Sequence, residues 1–150
     1  MVNLRTLKKT MSESYKILEK YIKDMSSETA DIETYIFVKD YIHKYQLNLD
    51  ITSKALKNKL VEICTTLKFE DKETNTKKSY FEIVFATIIK VDDKIKEKKE
   101  LQKIILCDVQ KDIYPDLEKS FLNLLHNSGY PSIKFEKKID FEDLYNKKFN

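Results

Sequence analysis

Apolar side chains dominate the segment from Tyr80 to Val91, where nine of the twelve residues are apolar or aromatic. The exceptions, Glu82, Thr87 and Lys90, fall within an arc of roughly 140° when the segment is drawn as a helix at about 100° per residue. Ser79 and Glu82 also have the spacing of a capping box, which starts a helix. The pattern predicts a helix that is apolar on almost every side, and such a helix has to be surrounded by others.

Six further segments show apolar residues at the three- and four-residue spacing of an amphipathic helix. Their approximate bounds are Met11 to Met25, Asp31 to Gln46, Ser53 to Phe69, Leu101 to Tyr114, Pro115 to Gly129, and Ile133 to Tyr145. Gly129 has the position of a helix C-cap, and Pro131 prevents the helix from continuing. The polar residues 70–78 predict an exposed loop. The sequence thus predicts seven helices, with the apolar helix in the middle of the order.

The composition favours the same fold class. The chain has one glycine and two prolines among 150 residues, and sheets with tight turns or dinucleotide-binding folds need more turn glycines. Apolar residues make up 41% of the chain, which is enough for the core of one domain of this size. We therefore expect an all-α fold: a single domain over residues 1–150, with about seven helices around a central hydrophobic helix.

The charge and cysteine content narrow the function classes. The net charge is +3, and nearly all the basic residues are lysine, since Arg5 is the only arginine. Both features argue against a nucleic-acid surface. Cys64 and Cys107 are isolated within apolar patterns, which indicates core packing in a reducing compartment. No signal-peptide core precedes Lys8 and Lys9, and no apolar run is long enough to span a bilayer.

No arrangement of residues typical of catalysis is present. The sequence lacks an acid–base pair, a glycine-rich phosphate loop and a ligand cluster. His43 and His126, taken with the two cysteines, lack the close paired spacing of structural zinc sites. We expect no catalytic residues, no metal and no cofactor, and we predict that the chain is not an enzyme.

Two stretches resemble the first and second homology motifs of the Bcl-2 family of apoptosis regulators. In residues 78–86, Tyr80 matches the aromatic residue that precedes the family's apolar central helix, and Gly129-Tyr130 matches the Gly-Trp step that closes a helix. Glu82 stands where the family has Arg, Phe81 replaces Gly, and the chain has no tryptophan. We expect no C-terminal membrane anchor. This divergence resembles a viral member of the family.

The resemblance implies a Bcl-2-like bundle that inhibits apoptosis. Its hydrophobic groove would bind the amphipathic third-homology-motif helix of pro-apoptotic Bcl-2 family proteins. The groove residues that this implies are Ile36, Tyr41, Leu56, Leu60, Ile63, Leu67, Lys78, Tyr80, Phe81, Val84 and Phe85, and Gly129 and Tyr130 would form the second-motif cap. Exposed groove surface makes a homodimer plausible. The implied location is the host cytoplasm, peripheral to mitochondria.

Two other interpretations stay open. One keeps the Bcl-2 fold but closes the groove, so that the protein modulates innate immune signalling through an outer face. The other is an unrelated helical adaptor protein that matches the motifs by chance. None of the three interpretations includes a nucleic-acid partner or a membrane span.

Overall fold

The computed structural model describes residues 14–73 and 77–149 and contains a four-stranded antiparallel sheet with helices packed on one face. In chain order the elements are β1 Tyr15–Glu28, α1 Ile32–Tyr41, β2 Gln46–Ala55, β3 Leu60–Glu70, β4 Tyr80–Val91, α2 Lys98–Lys103, α3 Val109–Asn127 and α4 Phe141–Phe149. The all-α prediction is therefore wrong, and the Bcl-2-like bundle that depended on it is wrong as well.

The strands lie in the order β1-β4-β3-β2, so β1 and β2 form the two edges of the sheet. All three pairings are antiparallel, and β2, β3 and β4 follow one another along the chain as in a meander. The connection from β1 to β2 contains α1 and crosses one end of the sheet. This crossing carries the chain from one edge of the sheet to the other.

The segment predicted as the central helix is the strand β4. Its buried residues alternate, with Phe81, Ile83, Phe85 and Ile89 facing the helices and a second set of side chains facing away. The segment is rich in Ile, Val, Phe, Tyr and Thr, which fit a pleated surface better than a helix. Ser79 is buried and its N–H donates to the hydroxyl of Tyr45 at 3.1 Å, so it does not start a helix.

Strand β1 occupies most of the segment predicted as the first helix; residues 11–13 of that prediction lie outside the described residues. Two register shifts interrupt its pairing with β4, between Ile17 and Glu19 and between Ile22 and Asp24. Each shift adds one residue to the strand. The side chains facing the helices are therefore Tyr15, Ile17, Lys20, Ile22, Met25 and Ser27. The bulges place Tyr15, Ile22 and Met25 on one face at separations of seven and three residues, which a helix also satisfies, and this explains the wrong prediction.

The hairpin between β2 and β3 replaces the helix predicted from Ser53 to Phe69. Its turn places Asn58 at φ 62° and Lys59 at φ 63°, and two consecutive residues at positive φ make a type I′ turn. Glycine usually fills such positions because it has no Cβ. Asn58 and Lys59 take them here, so counting glycines underestimated the number of strands.

The second half of the chain is closer to the prediction. Helix α2, a π-helical turn at Ile104–Asp108 and α3 follow without a break, and Pro115 lies inside α3 instead of starting a new helix. Ser128 is the C-cap of α3, and Gly129 follows it at φ 109° and donates to the carbonyl oxygen of His126 at 3.2 Å. The predicted end of the helix is confirmed, but its C-cap is Ser128 and not Gly129. Residues 131–140 have no helix, and α4 begins at Phe141.

The core lies between the sheet and the α2–α3 helix. Its fully buried side chains include Ile63, Leu67, Ile83, Ile89, Ile113, Leu117, Phe121 and Leu125. A polar contact crosses it, in which the Thr65 hydroxyl donates to Gln110 Oε1 at 3.0 Å and Gln110 Nε2 donates to the Ile105 carbonyl at 3.1 Å. Helix α1 is shorter than predicted, and the Asp31 side chain caps it by accepting from the Thr34 N–H at 2.8 Å. None of the described helices is long and apolar enough to cross a membrane.

Candidate binding grooves

Aromatic side chains collect at the end of the sheet where β2 begins and β3 ends. The ring of Tyr45 lies 5.5 Å from that of Phe69 and 6.3 Å from that of Phe81, measured between centroids. Phe135 packs edge-on against Phe69 at 5.7 Å, and Tyr130 packs edge-on against Phe81 at 5.7 Å. Most of these rings are buried, but Phe135 is only half-buried. The cluster therefore forms an apolar wall that reaches the protein surface at Phe135.

Residues 131–140, which we call the strap, run across this cluster between α3 and α4. Ile133 and Phe135 are half-buried, whereas Lys134 and Glu136 between and after them are exposed. The strap is attached to α3 by a 2.9 Å hydrogen bond between the His126 ring and the Ile133 carbonyl oxygen. The strap thus lies on the surface as an extended segment, with grooves on both sides.

The corner groove lies between the strap and the corner where α1 leads into β2, and has a volume of about 840 Å³. It is lined by Ile42, His43, Tyr45, Gln46, Leu47 and Phe69 on one side and by strap residues 132–137 and 139 on the other. On the opposite side of the strap, the helix groove has a volume of about 640 Å³, and its lining includes Tyr114, Pro115, Leu122, His126, Phe135, Ile139 and Phe141. The two grooves share Phe135, Glu136 and Ile139.

A third groove of about 360 Å³, the edge groove, lies between β2 and α4. Its apolar lining consists of Leu49, Ile51, Leu106, Phe141, Leu144 and Tyr145. Leu144 is 48% exposed although it is a large apolar residue. Phe141 also lines the helix groove, so apolar surface continues around the strap and α4.

The polar groups near the cluster do not suggest catalysis. Burial raises the pKa of the Tyr45 and Tyr130 hydroxyls above the ordinary value of tyrosine, which makes them poorer proton donors. The Ser79 hydroxyl is held by Thr29 at 2.7 Å. Among the described residues, no group of three His, Cys, Asp or Glu side chains is arranged to hold a metal ion. The arrangement can bind an apolar ligand by contact and desolvation.

The residues predicted for ligand binding are spread over the fold. Ile63, Leu67, Phe81 and Phe85 are buried on the helix-facing side of the sheet. Val84 is half-buried and points to the opposite side. Because these residues belong to strands, they do not form the helix-lined groove that the Bcl-2 resemblance implied.

The remaining predicted residues lie outside the three grooves as well. Ile36 and Tyr41 are exposed on α1, and Leu56 and Leu60 flank the β2–β3 turn. Lys78 and the exposed Tyr80 lie at the start of β4, while Gly129 and Tyr130 follow the end of α3. Tyr130 contacts Phe81, whose ring lies beside Tyr45 and Phe69 of the corner groove. A role for any of these residues in ligand binding stays a prediction.

Sequence reasoning missed the residues that line the grooves. Tyr45 and Phe135 lie in segments predicted as helices, and Leu47 lies between two predicted helices. The available signal was the alternation of Ile133, Lys134, Phe135 and Glu136 directly after Pro131, which is typical of an extended segment with one buried side.

Comparisons with known proteins give a consistent result. Residues 8–150 match the model of the family described as "Preprotein translocase subunit SecB". The chain is 60% identical over 140 residues to the "Putative protein-export protein SecB" of Pelagibacter ubique (strain HTCC1062), covering 93% of this chain and 100% of that protein. The fold is similar to that of a SecB-like chaperone from Mycobacterium tuberculosis, solved in complex with a peptide from an antitoxin, with a TM-score of 0.60 and 10% identity over 91% of this chain and 100% of that one.

These matches overturn most of what the Bcl-2 resemblance implied. The assignment to a viral Bcl-2-like protein is wrong, as are the inhibition of apoptosis and the alternative of viral immune modulation. Pro-apoptotic Bcl-2 partners and a location in the host cytoplasm or at mitochondria are wrong for the same reason. The prediction that the chain is not an enzyme is confirmed by the family that its sequence matches.

Proposed function

The chain belongs to the family of SecB preprotein translocase subunits, and on that premise we propose that it is a bacterial cytoplasmic chaperone for protein export. Its clients would be unfolded polypeptides, and it would hold their apolar segments in the corner, helix and edge grooves. The observation that carries the proposal is the half-buried strap with apolar grooves on both sides. The SecB-like chaperone from Mycobacterium tuberculosis, which has a similar fold, was solved with a bound peptide, so this fold can bind a peptide.

The shape of the grooves suits an extended segment. They are open troughs lined by side chains such as Leu47, Phe135 and Ile139. Each apolar side chain that moves from water into such a trough contributes on the order of 1.5–3 kcal/mol when it is fully buried. A few such contacts are enough for micromolar binding after the cost of association. Many sequences can therefore bind, as a protein-export chaperone requires.

The free edge of β1 supports self-association. Ile22 and Met25 face the same side of the sheet as the core, yet they are 43% and 47% exposed. An edge strand with exposed apolar residues tends to pair with another chain unless something covers it. We propose that a second copy of this chain covers β1.

Suppression of aggregation tests the chaperone function. A client protein is unfolded in denaturant and diluted, and its aggregation is followed by light scattering with and without this protein. We expect suppression by the wild type. Leu47→Asp and Ile139→Asp place a charge in the grooves and should weaken both the suppression and the binding of a fluorescent apolar peptide about tenfold or more.

A matched control is Leu56→Asp, because Leu56 is 38% exposed but lies at the β2–β3 turn outside the grooves. Circular dichroism of each variant checks that it is folded. Equal loss of binding in Leu56→Asp and the groove variants would contradict the assignment of the grooves and would favour the residues predicted from the sequence. The absence of any suppression by the wild type would contradict the chaperone function itself.

A further inference from the structure

Lysine side chains surround the three grooves. Their charged lining residues are seven lysines, Lys111, Lys119, Lys134, Lys137, Lys138, Lys147 and Lys148, and three carboxylates, Asp50, Glu118 and Glu136. This local excess is larger than the net charge of the whole chain, which is +3. Both histidines of the chain, His43 and His126, line the grooves as well. The positive charge of the protein is therefore concentrated where clients are proposed to bind.

Part of this charge has no counter-ion. Lys111 pairs with Glu142 at 3.4 Å, and Lys147 pairs with Asp143 at 3.0 Å. In the described part of the chain, Lys119, Lys134, Lys137 and Lys138 have no carboxylate oxygen within 4.0 Å, and three of these four lie on the strap. Their ammonium groups are exposed beside the apolar walls of the corner and helix grooves. A ligand that reaches these walls passes the lysines on its way.

On the basis of the proposed function, we propose that the grooves prefer apolar client segments flanked by aspartate or glutamate. The apolar core of the segment contacts Phe135 and its neighbours, and the flanking carboxylates lie beside the strap lysines. Such exposed pairs are individually weak, but several of them together both speed association and select among clients. A segment flanked by lysine or arginine meets repulsion at the same positions, so it binds more weakly.

A peptide panel tests the preference. Three fluorescent peptides share one apolar core and carry aspartate, asparagine or lysine on both sides, and their affinities are measured by anisotropy at low and high salt. We expect the aspartate peptide to bind about tenfold more tightly than the lysine peptide at low ionic strength. The difference should shrink in about 0.5 M salt because screening shortens the range of these interactions.

Charge reversal gives an independent readout. Lys134→Glu with Lys137→Glu should abolish or invert the preference, while the asparagine peptide keeps its affinity. The matched control is Lys57→Glu with Lys94→Glu, which makes the same charge change on exposed residues at the other end of the sheet and should leave the preference unchanged. If both double variants change the preference equally, the inference is overturned, because the net charge of the protein and not the position of the lysines would then determine the preference.

The remaining outcomes separate this inference from the chaperone function. Equal binding of all three peptides would overturn the acidic preference and leave the chaperone function intact. Binding of none of them would contradict both. A single-stranded oligonucleotide is included because lysines alone attract polyanions; if it binds as tightly as the aspartate peptide and displaces it, the inference is overturned in favour of a nucleic-acid surface.

Discussion

The hydroxyl of Tyr35 donates a hydrogen bond to the carbonyl oxygen of Gly129 at 2.9 Å and so joins α1 to the end of α3. A Cβ at position 129 would lie 2.5 Å from Cε1 of Tyr35. The backbone of Gly129 also has φ 109°, a conformation that residues with a Cβ rarely adopt. The only glycine of the chain is thus required both by the backbone and by the ring above it.

Gly129→Ala should therefore destabilise the fold. The positive φ costs a residue with a Cβ about 1–2 kcal/mol, and movement of the Tyr35 ring adds to that. Urea unfolding followed by circular dichroism measures the loss. In a Tyr35→Leu background, Gly129→Ala should lower the free energy of unfolding by less, because the Tyr35 ring is absent. If the loss is the same in both backgrounds, the whole effect comes from the backbone conformation of residue 129.

Gln110→Ala should cost about 2–4 kcal/mol of unfolding free energy. The substitution leaves a cavity beside the sheet, and the Thr65 hydroxyl and the Ile105 carbonyl lose their partner. Gln102→Ala, on the adjacent helix α2, serves as the control and should change stability by no more than about 0.5 kcal/mol. A small effect of Gln110→Ala in urea unfolding would mean that another donor reaches the Ile105 carbonyl.

Asp108→Asn should stabilise the protein at neutral pH. Burial is the largest cause that raises the pKa of the Asp108 carboxyl above its ordinary value. The native state therefore keeps the proton to a higher pH than the unfolded state, so stability falls as pH rises through the interval between the two pKa values. Thermal unfolding between pH 4 and pH 7 should show this fall in the wild type and less of it in Asp108→Asn. The exposed Asp40→Asn is the control, and a less stable Asp108→Asn at pH 7 would show that attraction by Lys103 and Lys111 outweighs burial.

Lys59→Gly should stabilise the β2–β3 hairpin by about 1 kcal/mol. Lys59 has φ 63°, and glycine adopts this conformation without steric cost. The substitution removes the ion pair between Lys59 and Asp93, but both side chains are largely exposed, so little is lost. Lys57→Gly, at negative φ in the same turn, should instead lower the denaturation midpoint, and the two variants are compared by urea unfolding.

Ile22→Lys with Met25→Lys should weaken self-association if a second copy covers β1. The expected result in sedimentation velocity is a shift to a smaller species at the same protein concentration. Ile36→Lys is the control, since Ile36 is 56% exposed on α1 and away from the β1 edge. An unchanged sedimentation coefficient in the β1 variant would exclude β1 as the contact.

The helical half of the fold could be predicted from the sequence because its signals are local. The spacing of Leu101, Ile104 and Ile105, and the glycine that follows the C-cap of α3, are signals that depend on neighbours along one helix. The strands could not be predicted in the same way. The two bulges of β1 interrupt its alternation and leave Tyr15, Ile22 and Met25 on one face at separations that a helix also satisfies. The turn at Asn58 and Lys59 lacks the glycine that usually marks a hairpin.

The grooves were even harder to predict from the sequence than the strands, because their walls come from distant parts of the chain. Tyr45, Phe69 and Phe135 meet only after the meander has formed and the strap has crossed it. No spacing rule connects these positions in the sequence. The resemblance to the Bcl-2 family rested on Tyr80 and on Gly129-Tyr130. Any strand rich in aromatic residues can supply the first match, and an ordinary helix end can supply the second.

The order of strands in the sheet has a consequence for the synthesis of the protein on the ribosome. Strand β1 is synthesised before the other strands of the described sheet, yet the strand it pairs with there is β4, which follows α1, β2 and β3 along the chain. Until Val91 has left the exit tunnel, β1 is an unpaired nascent strand with Leu18, Ile22 and Met25 in contact with water. Contacts between such distant segments form late and leave the early product prone to aggregation. A protein proposed to bind unfolded polypeptides thus exposes apolar segments of the same kind during its own synthesis.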